Sequence, residues 1–108
     1  MESEMMPVEM LEHSNDNYRN NLKLENIHRQ SDFYKKVRDS IKELGIVNPI
    51  IVRTEKVNGR YKICIGNNRY LAAKELGIKE VPVHIGDYNR YELKRIPHEK
   101  YKGVNYGN

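Results

Sequence analysis

Apolar and polar positions sort the chain into short runs with two different periods. Phe33, Val37, Ile41 and Leu44 recur at helical spacing, so Asp32 to Leu44 reads as an amphipathic helix. Ser31 is placed as its N-cap, Asp32 sits at the positive end of its dipole, and Gly45 stands where helices end. Ile46 to Val52 is short, β-branched and nearly all apolar after Pro49, the pattern of a strand buried on both faces. Pro49 suits the first residue of that strand, where a missing N–H is tolerated. Asn58-Gly59 separates it from Arg60 to Ile65 and signals a hairpin. In the return strand Tyr61, Ile63 and Ile65 share one face, with Lys62 and Cys64 on the other. A second helix is expected from about Asn68 to Leu76, ended by Gly77. Glu80 to Ile85 is another strand, in which Pro82 suggests an edge or a bulge.

The two ends are less ordered in pattern. Residues 1–19 are polar and acidic, and Met5, Met6, Val8, Met10 and Leu11 keep no sustained period. They read as a loose tail, with Val8 to Leu11 as a short edge strand or a brief helix. Leu22 and Leu24 alternate with polar neighbours, which makes Asn21 to Ile27 a short strand. After Gly86, Tyr88, Tyr91, Tyr101 and Tyr106 are interleaved with Arg90, Lys94, Arg95, Lys100 and Lys102, and Asp87 to Ile96 is expected to be helical before Pro97. The resulting architecture is α+β, a small mixed β-sheet with two or three helices. It divides into an acidic tail (1–19), a folded domain (20–86) and a basic, tyrosine-rich extension (87–108).

Composition narrows the class. At 108 residues the chain makes one domain with one modest core. Its aromatics are eight tyrosines and one phenylalanine, which favours half-wet aromatic positions over a large apolar interior. Cys64 is the sole cysteine, so no intrachain disulfide forms and a zinc cluster is implausible. No run approaches a membrane span and the acidic start lacks a signal-peptide pattern; a reducing, cytoplasmic compartment fits best. Glu2, Glu4, Glu9, Glu12 and Asp16 give Met1 to Asn17 a charge of −5, so the formal +4 of the whole chain leaves +9 on the rest. A basic body favours a polyanionic partner; the basic, tyrosine-bearing extension reads first as a solvated tail that packs one or two tyrosines on the body, and second as a contact for nucleic acid.

The chemistry concentrates where the return strand meets the second helix. Cys64-Ile65-Gly66-Asn67-Asn68-Arg69 is a strand end, a glycine turn and a helix start. The first turn of a helix offers unpartnered N–H groups and partial positive charge. Gly66 lets a ligand approach the backbone, Asn67 or Asn68 can cap the helix, and Arg69 adds a fork of donors suited to phosphate. A helix end alone contributes roughly 0.3–2 kcal/mol toward an anion; the arginine raises this bend above an ordinary corner.

Two blocks repeat the order helix, glycine, apolar strand. Ser40-Ile41, Gly45 and Asn48-Pro49-Ile50 mark the first; Gly66, Arg69, Ala72-Ala73, Gly77 and Val81-Pro82 mark the second. With the hairpin and the central bend, this resembles the ParB/sulfiredoxin superfamily from about Leu22 to Ile85. The resemblance implies a nucleotide-phosphate site at Gly66, Asn67, Asn68 and Arg69, with Arg29 reaching the same phosphates and Asn48 meeting the base or sugar. The implied ligand is a nucleoside triphosphate, CTP or ATP, with Mg2+ held mostly by the phosphates. The implied partners are a nucleotide, DNA along the basic surface and extension, and a second copy of the chain.

Departures from the superfamily pattern narrow the activity. Sulfiredoxins place a catalytic cysteine after the loop glycine, where this chain has Asn67. Cys64 lies within the strand as a small buried apolar residue, and sulfinic-acid reduction is rejected. The partition proteins carry Gly-Glu-Arg-Arg, where this chain has two asparagines in the middle, and too few residues follow Ile85 for their helical and helix-turn-helix parts. Free-serine kinases place an Asp before the glycine, where this chain has Ile65. The expected function is a stand-alone nucleotide-binding module in DNA metabolism, of phage or plasmid type. A ParB-like metal-dependent nuclease using Asp32, Glu55 or Asp87 stays open, as does a non-catalytic interaction protein whose loop is only a helix start.

Overall fold

The structure, a computed structural model, describes residues 2–18, 21–89 and 92. Its five-stranded sheet has the order β1-β5-β3-β4-β2, where β1 is Glu4–Pro7, β2 Leu11–Glu12, β3 Ile50–Val57, β4 Arg60–Ile65 and β5 Glu80–Ile85. Three helices accompany it: α1 (Leu22–His28), α2 (Asp32–Leu44) and α3 (Asn67–Leu76). The sheet is mixed. β3 and β4 are antiparallel, β3 and β5 parallel, and the short β2 lies parallel to β4. The α+β architecture is the one expected, and among the described residues no helix is long and apolar enough to cross a membrane.

The central strand follows from its composition. Ile50, Ile51 and Val52 are buried on both faces between β5 and β4, as the unbroken apolar run requires. Pro49 falls one residue before the strand, so its missing N–H leaves the ladder intact. Asn58 and Gly59 both take positive φ, 54° and 76°, the turn whose twist matches a hairpin. Pro82 lies inside β5, which pairs on both sides, so the edge expected from it is corrected. It sits one residue before the ladder with β3 begins at Val83, where its missing donor is tolerated.

The first part of the chain departs furthest from the pattern. β1 pairs antiparallel with β5 from Glu4↔Val83 to Pro7↔Glu80, and Leu11 and Glu12 pair with Tyr61 and Lys62. Residues expected to be a loose tail thus supply both outer strands, with a turn of 3-10 helix at Val8–Met10 between them. Met6 and Leu11 enter the core, which anchors the segment. Asn21 to Ile27, expected as a strand, is instead helical. Asn21 Oδ1 accepts from the Leu24 N–H at 3.2 Å as the N-cap of α1. The helix buries Glu25 while Leu22 and Ile27 are 68% and 56% exposed, so its apolar residues do not mark its inner face.

α2 was legible, with one adjustment. Ser31 Oγ accepts from the Tyr34 N–H at 3.1 Å, and Gly45 closes the helix at φ 75°. Its buried side chains are Tyr34, Val37, Ser40 and Ile41, whereas Phe33 and Leu44 are exposed. Tyr34 replaces Phe33 as the large aromatic of the inner face. α2 packs on α3, whose residues from Asn67 to Ala73 are all buried. Leu71, Ala72 and Ala73 form the middle of the core with Val37, Ile50, Val52, Ile63, Val81 and Val83. Small side chains at 72 and 73 let the helix sit close to its neighbours. The helix expected at Asp87 to Ile96 lies largely outside the described residues, as does most of the basic extension.

Candidate functional site

The bend between β4 and α3 is built around Gly66. Its φ of 112° lies in the left-handed region open to glycine, and a Cβ there would come within 3.2 Å of Ile50 and 3.3 Å of Arg69 Nη1. Gly66 itself is the N-cap, so neither Asn67 nor Asn68 caps the helix as expected. They occupy its first two positions instead, and their side chains reach sideways to other parts of the chain.

Each loop side chain has a defined partner. The Ser14 N–H donates to Asn67 Oδ1 at 3.0 Å, and Asn67 Nδ2 donates to Ser14 Oγ at 2.7 Å, a reciprocal pair across the sequence. His28 Nε2–H donates to Asn68 Oδ1 at 2.5 Å. Arg69 Nη1 donates to the Pro49 carbonyl at 2.8 Å. This charged hydrogen bond ties the entry to β3 onto the helix head. Asn48, also buried, is the residue before that carbonyl. The structure therefore brings Gly66, Asn67, Asn68, Arg69 and the Asn48–Pro49 corner together.

Arg29 lies further along the helix. Its Nη2 reaches the Leu71 carbonyl at 3.5 Å, and its guanidinium stands 3.7 Å from both Glu25 and Glu75. Lys74 Nζ donates to Glu25 Oε1 at 2.6 Å. These pairs, with Arg38 against Glu75 at 3.5 Å, bind α1 and α2 to the flank of α3. Glu25 is 3% exposed, so its negative charge is held in the interior by the two cations.

The acidic first segment, read from sequence chiefly as a loose tail, supplies a strap over the loop. From His13 to Tyr18 the chain turns on its own side chains: the Asn15 N–H donates to His13 Nδ1 and the Asn17 N–H to Asn15 Oδ1, each at 2.9 Å. Lys62 bonds Asp16, and the rings of His13 and Tyr18 stack at 3.9 Å with 4° between their planes. Burial, reinforced by the nearby His28, lowers the His13 pKa to about 4 and keeps the ring neutral. With Nδ1 accepting, its proton is on Nε2, which has no hydrogen-bond partner among the described residues. The Ser14-Asn15-Asp16-Asn17 run is turn chemistry and was the signal available in the sequence.

The remaining candidates do not converge. Asp32 opens α2 and Glu55 lies exposed on β3. The Asp87 carboxylate accepts from Thr54 N–H and Oγ1, which holds it below the usual carboxylate range. Among the described residues no three His, Cys, Asp or Glu side chains are grouped to hold a metal ion. Cys64 is half-buried, and burial pushes its thiol up, away from the reactive thiolate.

Known proteins share this fold. The ParB N-terminal domain family matches residues 2–96. The chromosome-partitioning protein ParB of Caulobacter vibrioides is 32% identical over 91 residues, taking in 83% of this chain and 28% of its own length. A crystal structure of C-terminally truncated ParB from Caulobacter crescentus, complexed with CTP-gamma-S, superposes with a TM-score of 0.60 at 27% identity, covering 93% of this chain and 52% of that one. Sulfiredoxin from Arabidopsis thaliana superposes with a TM-score of 0.56 at 25% identity, covering 88% of this chain and 96% of that one. The chain spans little more than a quarter of the curated Caulobacter relative.

Proposed function

Since the chain belongs to the ParB N-terminal domain family, we propose that it binds a nucleoside triphosphate at Gly66–Arg69 and serves a process on DNA. The observation that carries this reading is the helix head itself. Gly66 has a left-handed backbone, and the next three residues gather two carboxamides and a guanidinium at one corner. CTP or ATP is the ligand class, CTP being favoured by the CTP-gamma-S complex of the Caulobacter protein. The backbone of the first turn would meet the phosphates, with Asn67 and Asn68 as donors once released from Ser14 and His28. Arg69 anchors the corner from its bond to Pro49 and swings to phosphate on binding. Asn48 meets the base or sugar, and Arg29 stands behind as a second cation. Mg2+ would be carried by the phosphates, since the described carboxylates form no group for it. DNA would meet the exposed Lys35, Lys36 and Lys42 of α2 and the basic extension.

Thermal unfolding of the full chain with each of the four NTPs and Mg2+ tests this. A nucleotide at a hundredfold excess over its Kd should raise Tm by roughly 10 °C. Asn67→Asp keeps an acceptor for the Ser14 N–H but sets a negative charge against the phosphates, and should abolish the rise. A second reading has its own support: Gly66 to Arg69 are all buried and their side chains engaged, as a loop serving only as a helix head would be. Unchanged Tm with all four nucleotides, at millimolar concentration, would select it.

A further inference from the structure

We infer that residues 13–18 form a latch that closes the loop at Gly66–Arg69, and that a nucleotide gains the site by displacing it. The inference rests on the nucleotide reading and specifies how access to that site is controlled. Gly66, Asn67, Asn68 and Arg69 are all buried, so no polyphosphate reaches the helix head in this arrangement without movement of its cover. The cover has two parts. α1 is fixed to α3 through Glu25, which is buried, paired with the exposed Lys74 and the half-buried Arg29. The strap is held differently: His13 is buried and, with Tyr18, packs edge-on against His28, whereas Ser14, Asn15, Asp16 and Asn17 are exposed and join α3 through the reciprocal Ser14–Asn67 pair. Asp16 adds a tie to Lys62 on β4 at the solvent surface. The strap is therefore the part that moves at least cost.

Two further details show that closure is incomplete in its bonding. His13 Nε2 and His28 Nδ1 are buried without hydrogen-bond partners among the described residues. A cavity of about 100 Å³ lies beneath the strap, lined among others by His13, Tyr18, Glu25 and Lys74. Buried donors and acceptors left unmatched weaken the closed state relative to an opened one. Ser14 donates to and accepts from the carboxamide at the helix's first residue. The latch thus engages a side chain that the ligand needs.

Ser14→Ala removes the acceptor of the Asn67 Nδ2 bond without touching the proposed phosphate donors. If the closed form predominates, apparent affinity scales with the open fraction. Loss of one ordinary hydrogen bond should then tighten CTP–Mg2+ binding by roughly fivefold in isothermal titration of the full chain. Asp16→Asn should act in the same direction and less. In the unmodified chain, hydrogen exchange at the Ser14 and Asn17 amides should quicken on saturation with CTP–Mg2+. Equal affinity of both variants and the unmodified chain, or slower exchange at those amides on binding, would overturn the latch and leave the nucleotide reading standing. No binding to any of the three chains would overturn both.

Discussion

α2 and α3 begin in opposite ways. α2 is self-sufficient: Ser31 caps it, Asp32 meets its dipole, and one face is buried while the other is solvated. α3 has as its N-cap a glycine without a capping side chain, is buried throughout its first two turns, and has its head finished by distant residues: Ser14, His28 and the Pro49 carbonyl. A helix that completes its own start needs nothing from the rest of the fold. One that borrows its completion couples three segments to a single point, and whatever enters that point must exchange with them.

That contrast is most exposed to substitution at Arg69. Arg69→Ala removes a buried guanidinium, 4% exposed, together with its hydrogen bond to the Pro49 corner, and should cost about 3 kcal/mol in urea unfolding. A loss below about 1 kcal/mol would mean the corner is held without it. Acid should act on the same region next. The His13 pKa is lowered from 6.5 to about 4 by burial, so between those values the unfolded chain binds a proton that the folded chain refuses. Stability should therefore fall as pH drops from 6.5 toward 4, by about 3 kcal/mol from this group, with no further loss from it below. His13→Gln should flatten that window; an unchanged slope would place the acid sensitivity elsewhere.

Gly66→Ala should cost about 2 kcal/mol, because φ of 112° strains any L side chain and Ile50 stands in the way of the new methyl. Ser31→Ala, at the self-sufficient helix, should cost about 1 kcal/mol for the lost cap. If Ser31→Ala proved as damaging as Arg69→Ala, the distinction between the two helix starts would fail.

The same difference explains what the sequence disclosed. Elements governed by local rules were legible: the capped α2, the Asn58-Gly59 hairpin, the buried run after Pro49 and the glycine ends at Gly45 and Gly77. α1 was misread because it turns Glu25 inward and leaves Leu22 and Ile27 in water, so its polarity pattern runs against its packing. The outer strands were missed because a four-residue β1 and a two-residue β2 are too short to show a period. At the loop, Gly66 and Arg69 were visible as chemistry, but the Ser14 and His28 contacts lie 53 and 40 residues away and follow from topology alone. Arg29 was placed near phosphate by resemblance; its position beside Leu71 depends on a helix that the pattern did not reveal.

The central claim concerns one corner of the molecule and can be read there residue by residue. Amide NMR of the full chain, titrated with CTP and Mg2+, reports on Gly66, Asn67, Asn68 and Arg69 individually. The account predicts saturable shifts at those four amides, accompanied by shifts at Ser14 and Asn15 as the strap leaves. Spectra that stay unchanged at millimolar nucleotide, or shifts confined to α2 and the far side of the sheet, would contradict it.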